Sequence, residues 1–234
     1  MVPLAAALVS RPIHIGGVYN ARAIGSGPWL VRAAAVDGLT DAGVDTLAEL
    51  GVSLILDLRE DGEAPSRGAH GLGIRRIPLY RLPDGPPQTG SLEDVYDLLL
   101  GSRGAELASA VAALAEAPGP VLVHCTAGKD RTGLVVALAL SAAGWPREDV
   151  VADYILSAPE VRSRRHDTVQ ALLGALDLDD HARREALRLH LDSPPEAIGH
   201  ALDRIERADG AAGYLLRHGL TTAQLDRLRT KVRA

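Results

Sequence analysis

Val121-Leu122-Val123-His124-Cys125-Thr126-Ala127-Gly128-Lys129-Asp130-Arg131-Thr132-Gly133 reads as a buried strand, a tight polar loop and the first turn of an apolar helix. At the carboxyl end of a parallel strand and the start of a helix, successive backbone N–H groups converge on one point and hold an anion, helped by the helix dipole. Cys125 and Arg131 stand at the two ends of that loop, with Thr126, Ala127, Gly128 and Lys129 between them. If the loop curls round a phosphate, the thiol lies below phosphorus and the guanidinium closes over two equatorial oxygens. A free thiol ionises near ~8.5, and a helix N-terminus with cationic neighbours lowers that to about 3.5–7.5. Cys125 is therefore expected as a nucleophile and Arg131 as its charge clamp. His124 is expected to fix the thiolate's surroundings, and the Thr132 hydroxyl to donate to sulfur when it leaves.

Outward from this segment, Trp29 to Val31, Val52 to Leu58, Ile74 to Leu79 and Pro120 to His124 are short apolar runs bounded by Gly, Pro or charge, which predict buried strands. Thr40 or Asp41 caps a helix reaching Leu50, and Ser91 with Asp94 makes a capping-box start for Leu92 to Leu100. Another helix from about Gly104 stops at Ala117-Pro118-Gly119-Pro120. Beyond Arg131 the pattern is helical: Thr132 to Ala143, Pro146 to Ser157, Pro159 to about Leu173, then segments from Pro194 and Thr221. Strands alternating with helices, then helices alone, predict an α/β fold with a mostly parallel central sheet flanked by helices. No repeat or free linker appears, so a single domain over 1–234 is expected, with a helical C-terminal extension from about 193 to 234.

The chain of 234 residues is 47% hydrophobic and 24% charged, a globular composition. Its net charge of −5 gives no general basic field for nucleic acid, so any anion must be caught locally. One cysteine permits no internal disulfide. Only Lys129 and Lys231 are lysines, leaving 25 − 2 = 23 arginines, and one of the two lysines stands in the Cys125 loop. The eight histidines are scattered without metal-ligand spacing, and neither metal nor cofactor is implied. The apolar start, Met1 to Ser10, lacks a preceding basic residue and is too short to span a bilayer, so it reads as mature cytoplasmic sequence. The apolar stretch from Gly133 to Gly144 is likewise short of a membrane span and predicts a buried helix. A Walker A loop fails because Val123 and Asp130 occupy its first Gly and its Ser/Thr position. Gly25-Ser26-Gly27, lacking the third glycine of a dinucleotide fingerprint, reads as a turn.

His124-Cys125-x-x-Gly128-Lys129-Asp130-Arg131-Thr132-Gly133 resembles the signature of the cysteine-dependent tyrosine phosphatases, and its Lys-Asp-Arg variant resembles their bacterial and fungal branch. Asn20-Ala21-Arg22 with Gly25, Trp29-Leu30-Val31-Arg32, Asp57-Leu58-Arg59 and Ala152-Asp153-Tyr154 follow in that branch's order, as do Tyr214-Leu215 and Gly219-Leu220-Thr221. The resemblance implies a protein-tyrosine or dual-specificity phosphatase working through a cysteinyl-phosphate, with phosphotyrosine proteins as substrates and phosphoinositides as a second class. Two departures stand out. Ala23 replaces the usual Asp of the N-terminal motif, and the short segment between Leu82 and Gly104 leaves no room for a large helical lid, so an open pocket is expected.

Four further residues are candidates. Lys129 is expected as a second cation at the rim, with a pairing to Asp130 as the alternative. Arg59, at a strand end, is expected either in the same crevice or in a surface ion pair with Glu60, Asp61 or Glu63. For the general acid, Asp130 inside the loop competes with Asp84 on a Pro- and Gly-rich loop. A carboxylate retained beside a phosphate dianion needs a reason, and entering the reaction protonated supplies one, which favours Asp130. Competing functions are a rhodanese-like sulfurtransferase and a silent phosphate-binding module. The loop spacing with Thr132-Gly133, and the presence of both Cys125 and Arg131, favour the phosphatase.

Overall fold

The computed structural model describes residues 10–25, 27–63, 72–83 and 85–233. Six strands form one mixed sheet: β1 (Ser10–Pro12), β2 (Arg22–Ile24), β3 (Leu30–Ala33), β4 (Leu54–Asp57), β5 (Ile74–Arg76) and β6 (Val121–His124). Their order is β1-β2-β3-β6-β4-β5, with β1, β2 and β3 antiparallel and β3, β6, β4 and β5 mutually parallel. The expected α/β architecture is present, and β6 lies inside it between β3 and β4.

Alternation along the parallel strands sorts side chains onto two faces. Val31, Ile55 and Leu122 point to one side, where they pack with Leu47 of α1 (Asp41–Glu49). Leu30, Leu56, Val121 and Val123 point to the other, into the main core with α2 (Leu92–Ser102), α3 (Gly104–Glu116) and α4 (Asp130–Ala142). Both faces are covered, which is why β6 reads as an unbroken apolar run. The caps fall where the sequence puts them. Thr40 accepts from the Gly43 N–H, and Ser91 and Asp94 bond reciprocally.

Downstream come α5 (Arg147–Ile155), α6 (Ser157–Gly174), α7 (Asp180–Leu191), α8 (Pro195–Arg207), α9 (Gly210–Arg217) and α10 (Thr222–Arg233). Helices α8, α9 and α10 contribute Ile198, Leu202, Leu215 and Leu228 to the main core, wrapping the almost wholly buried α4. By contrast, α6 and α7 form a hairpin with a small cluster of its own, Val169, Leu173, Ala186 and Leu191. No single helix among the described residues is long and apolar enough to cross a membrane.

Some elements differ from expectation. Only Ile74–Arg76 of the predicted run to Leu79 is strand, and it is an exposed edge; the buried Ile77 and Leu79 follow it in irregular chain. Pro194 is the N-cap of α8, and the neighbouring Ser193 hydroxyl donates to the Ile155 carbonyl. Strands β1 and β2 and helices α7 and α9 have no counterpart in the sequence pattern.

Candidate active site

The loop between β6 and α4 is held from below by a buried polar network. Asn20, at φ 53, is one of the few residue types that tolerate that backbone, and its amide donates to the Ala127 and Gly128 carbonyls at 2.9 and 3.2 Å. The fully buried Arg32 donates to the Gly128 carbonyl at 2.8 Å. With those carbonyls turned down, the loop's N–H groups are left for the cavity. Arg22 and Arg32 both pair with Asp153, Arg22 through Nε at 2.7 Å. Burial raises the Asp153 carboxyl, but the two arginines outweigh it and hold it far below the usual carboxylate range. Burial and Arg32 together bring Arg22 down to about 10. Ala23 is buried in β2 and offers no charge, and the carboxylate that the arginines share comes from α5.

Gly128 is obligatory at its position. Its φ is +67°, and a Cβ there would lie 2.2 Å from the Ala33 carbonyl oxygen.

Cys125 is buried at the end of β6. Burial pushes its thiol up, yet Arg131, the Thr132 hydroxyl and the Thr132 N–H outweigh that and hold it below its ordinary value. The buried Thr132 Oγ1 has no other partner among the described residues, so its influence falls on the Cys125 sulfur. His124 meets the Cys125 carbonyl through Nδ1 at 3.2 Å. Burial lowers its pKa against the pull of Asp57, favouring the neutral imidazole.

Arg131 is clamped by a residue that sequence pattern did not single out. Glu63 accepts from Arg131 Nη1 and Nη2 at 2.6 and 2.7 Å and from the Thr126 hydroxyl at 2.5 Å. Its carboxyl is raised by burial but held below its usual range by Arg131 and Thr126. The Tyr80 ring lies 4.6 Å from the guanidinium carbon, a cation–π contact. Both terminal nitrogens are thus fixed, and the Nε edge has no acceptor among the described residues.

These groups line a cavity of about 260 Å³ that also admits Asp130 and is walled by Pro86, Pro87 and Gln88 and by the α6–α7 hairpin. The hairpin supplies Arg165, Leu172, Leu189 and His190. This corrects the expected open pocket. The segment after Leu82 is short, as read, but a helical wall comes from 157–191, downstream of the catalytic loop.

Two other expectations are corrected. Lys129 is not at the rim: it is fully buried, and its ammonium donates to Asp130 Oδ1 at 2.7 Å and to the Leu189 and Asp192 carbonyls at 3.0 and 2.6 Å. Those carbonyls end α7, whose last-turn acceptors attract a cation. Arg59 is neither in the crevice nor in a surface pair. It is buried between Asp57 and Asp37, which hold it charged against the cost of burial. Asp130 does stand in the cavity, with Oδ1 on Lys129 and within 3.4 Å of the Tyr96 hydroxyl. Asp84 lies outside the described residues. Among those residues no group of three or more His, Cys, Asp or Glu is placed to hold a metal ion.

Of the parts that sequence pattern missed, Glu63 carries a faint signal, an acid in the polar run after β4. Nothing marks it apart from Glu60 and Asp61. Arg165 and His190 lie in strongly charged helical sequence where no position stands out.

A sequence profile of the tyrosine phosphatase family matches residues 13–234. The triple specificity protein phosphatase PtpB of Mycobacterium tuberculosis is 31% identical over 245 residues, covering 86% of this chain and 89% of that protein. A tyrosine-protein phosphatase of Nostoc commune is 29% identical over 227 residues, covering 86% of this chain and 73% of that one. Among solved structures, P. aeruginosa TpbA aligns with a TM-score of 0.43 at 19% identity, covering 73% of this chain and 98% of that one.

Proposed function

The chain belongs to the tyrosine phosphatase family, a family of phosphoric monoester hydrolases, and from that premise we propose that it hydrolyses phosphotyrosine through a cysteinyl-phosphate on Cys125. The observation that carries this reading is the Cys125 thiol held below its ordinary pKa beside Arg131 at the start of α4, despite full burial. In the first step the thiolate attacks phosphorus and the bond from phosphorus to the phenolic oxygen breaks. Asp130 is the acid that gives that oxygen its proton. The loop N–H groups and the Nε edge of Arg131 take the charge on the equatorial oxygens. In the second step Asp130 accepts a proton from water, the oxygen attacks phosphorus and the S–P bond breaks. Thr132 donates to the departing sulfur, and phosphate and thiolate are released.

Phosphotyrosine is preferred over phosphoinositide for a structural reason. A free cation at the cavity rim would favour an inositol phosphate headgroup, and the Lys129 ammonium is instead spent on Asp130 and the end of α7.

The test is hydrolysis of p-nitrophenyl phosphate and phosphotyrosine with EDTA present, together with the pH–rate profile of Asp130→Asn. Turnover is expected to vanish in Cys125→Ser. Asp130→Asn is expected to lose the limb set by the general acid and to fall by roughly 10²–10⁴ on poor leaving groups, far less on good ones. Turnover that survives Cys125→Ser overturns the nucleophile. An intact profile in Asp130→Asn overturns the acid.

A further inference from the structure

Every charged side chain that shapes the catalytic loop has its counter-charge within the protein. Arg131 has Glu63, Lys129 has Asp130, Arg59 has Asp57 and Asp37, and Arg22 and Arg32 share Asp153. Arg165 differs. It lines the cavity from α6, and among the described residues it makes no ion pair or hydrogen bond. Arg164, the residue before it, is also without an ion pair among the described residues, and it faces a second and larger hollow of about 680 Å³. The two consecutive arginines therefore stand on either side of a boundary between two cavities.

That boundary is narrow. Asn20 lines the larger hollow and donates at 2.9 Å to the carbonyl of Ala127, which lines the catalytic cavity. Tyr19, on the same turn, is close enough to Cys125, Arg164 and Arg165 to feel the charge of all three. Past this ridge the hollow is walled mainly by apolar side chains, including Ile13, Val18, Leu156 and Pro159. Its one acid, Glu160, stands a turn before Arg164 without forming an ion pair with it. A ligand whose phosphate occupied the catalytic loop would leave that loop across two unneutralised guanidinium groups and enter an apolar trough. An extended chain covers about 3.3 Å per residue, so neighbours of a phosphorylated residue reach that trough within two or three positions.

We propose that the hollow lined by Arg164 is a subsite for the residues flanking phosphotyrosine in a peptide substrate, with Arg165 and Arg164 taking acidic side chains beside the phosphotyrosine and the trough taking an apolar one beyond. This rests on the phosphatase reading and deepens it: the substrate class becomes an acidic phosphotyrosine segment. Guanidinium groups suit carboxylates through paired N–H donors. The pairs are partly exposed, so their effect lies in choosing among substrates.

The experiment compares kcat/KM for three phosphotyrosine peptides of one sequence, with the two flanking positions filled by Asp, by Asn or by Lys. Two exposed ion pairs predict a roughly five-fold preference for the Asp peptide over the Asn peptide in the wild type. In R164A/R165A that ratio falls to about one, and in R164E/R165E the Lys peptide becomes the preferred substrate. Inversion by charge reversal is a result that a merely structural role for the arginines does not produce. A wild type with equal rates on the Asp and Asn peptides, or a ratio unchanged in the double variants, overturns the subsite while leaving the phosphatase reading intact. Failure of the wild type on all three peptides overturns that reading and the subsite together. A soluble short-chain phosphoinositide serves as a fourth arm. Loss confined to that substrate in R164A/R165A assigns the arginines to an inositol headgroup and overturns the peptide proposal.

Discussion

Beneath the catalytic cavity, Arg22, Arg32 and Asp153 hold the loop through side chains with at most 4% exposure, whereas the α6–α7 hairpin on the cavity's other side is fastened mostly by exposed pairs. Arg188 meets Glu93 of α2 with both partners about a quarter exposed, at 26% and 28%, and the His190 ring meets the Gln88 carbonyl at 2.9 Å. From within, Lys129 reaches the end of α7, and the buried Ser157 hydroxyl at the start of α6 accepts from Arg22 at 3.0 Å. The hairpin also has its own small core instead of a share in the main one. A buried charge network fixes one arrangement, because breaking it strands an ion in a low-dielectric interior; surface pairs leave a packed hairpin able to part from its neighbours at low cost. The floor is built to stay and the wall is built to yield.

The largest effect is expected where the floor is cut. Asp153→Asn leaves two buried arginines without a carboxylate, and a loss of about 3–5 kcal/mol of stability follows, measured by chemical denaturation. The same group sets an acid limit. The Asp153 carboxyl is lower in the folded chain than in the unfolded one, as are those of Asp57 and Glu63. Their stabilisation is present above the ordinary carboxylate range near ~4 and is lost as pH falls through and below it. Stability measured from pH 7 downward should drop below about pH 4 in the wild type and more gently in Asp153→Asn. An equal slope would deny Asp153 its part.

Gly128→Ala should come next. The added Cβ meets the Ala33 carbonyl in a left-handed backbone, which costs roughly 1–3 kcal/mol. Orthophosphate affinity, read by inhibition, should fall with it because the N–H groups no longer converge. Full phosphate affinity in this variant would show that the floor is less rigid than its network suggests.

The smallest effect belongs to the wall. Arg188→Ala should change global stability by only about 0.2–1 kcal/mol, yet amide exchange over 157–192 should quicken while β6 and α4 stay protected. Exchange that rises uniformly through the chain would make the hairpin part of the main core and erase the distinction between wall and floor.

The loop itself was largely legible in the sequence, and the floor beneath it and the wall beside it were not, for a physical reason. An all-apolar strand followed by Cys125, Gly128 and Arg131 leaves few alternatives, since burial on both faces, a left-handed turn and a helix start are each local demands. Asn20, Arg22, Arg32 and Asp153 could be noticed only as family-like fragments, because nothing local says that a carboxylate at 153 will sit under arginines at 22 and 32. Lys129 misled for the same reason: an ammonium in a phosphate loop looks like a ligand group until the end of α7 arrives to claim it. The hairpin's first helix is legible, but its second is not, because α7, Asp-His-Ala-Arg-Arg-Glu-Ala-Leu-Arg-Leu-His-Leu, buries only Ala186, Leu189 and Leu191 and shows a thin apolar stripe. Glu63 needed the folded path of the chain after β4 to be seen at all.

The Arg22 and Arg32 bonds to Asp153 span 131 and 121 positions of chain. Loop-closure entropy must be met before such distant partners can reward each other, so the cradle closes late on the folding pathway. Until α5 docks, the two cations lack their counter-ion. A nascent polypeptide that has emerged only through α4 therefore carries Cys125, Arg131 and Thr132 on a loop whose supporting arginines still lack Asp153. The firmness of the cradle is thus a property that the second half of the chain confers on the first.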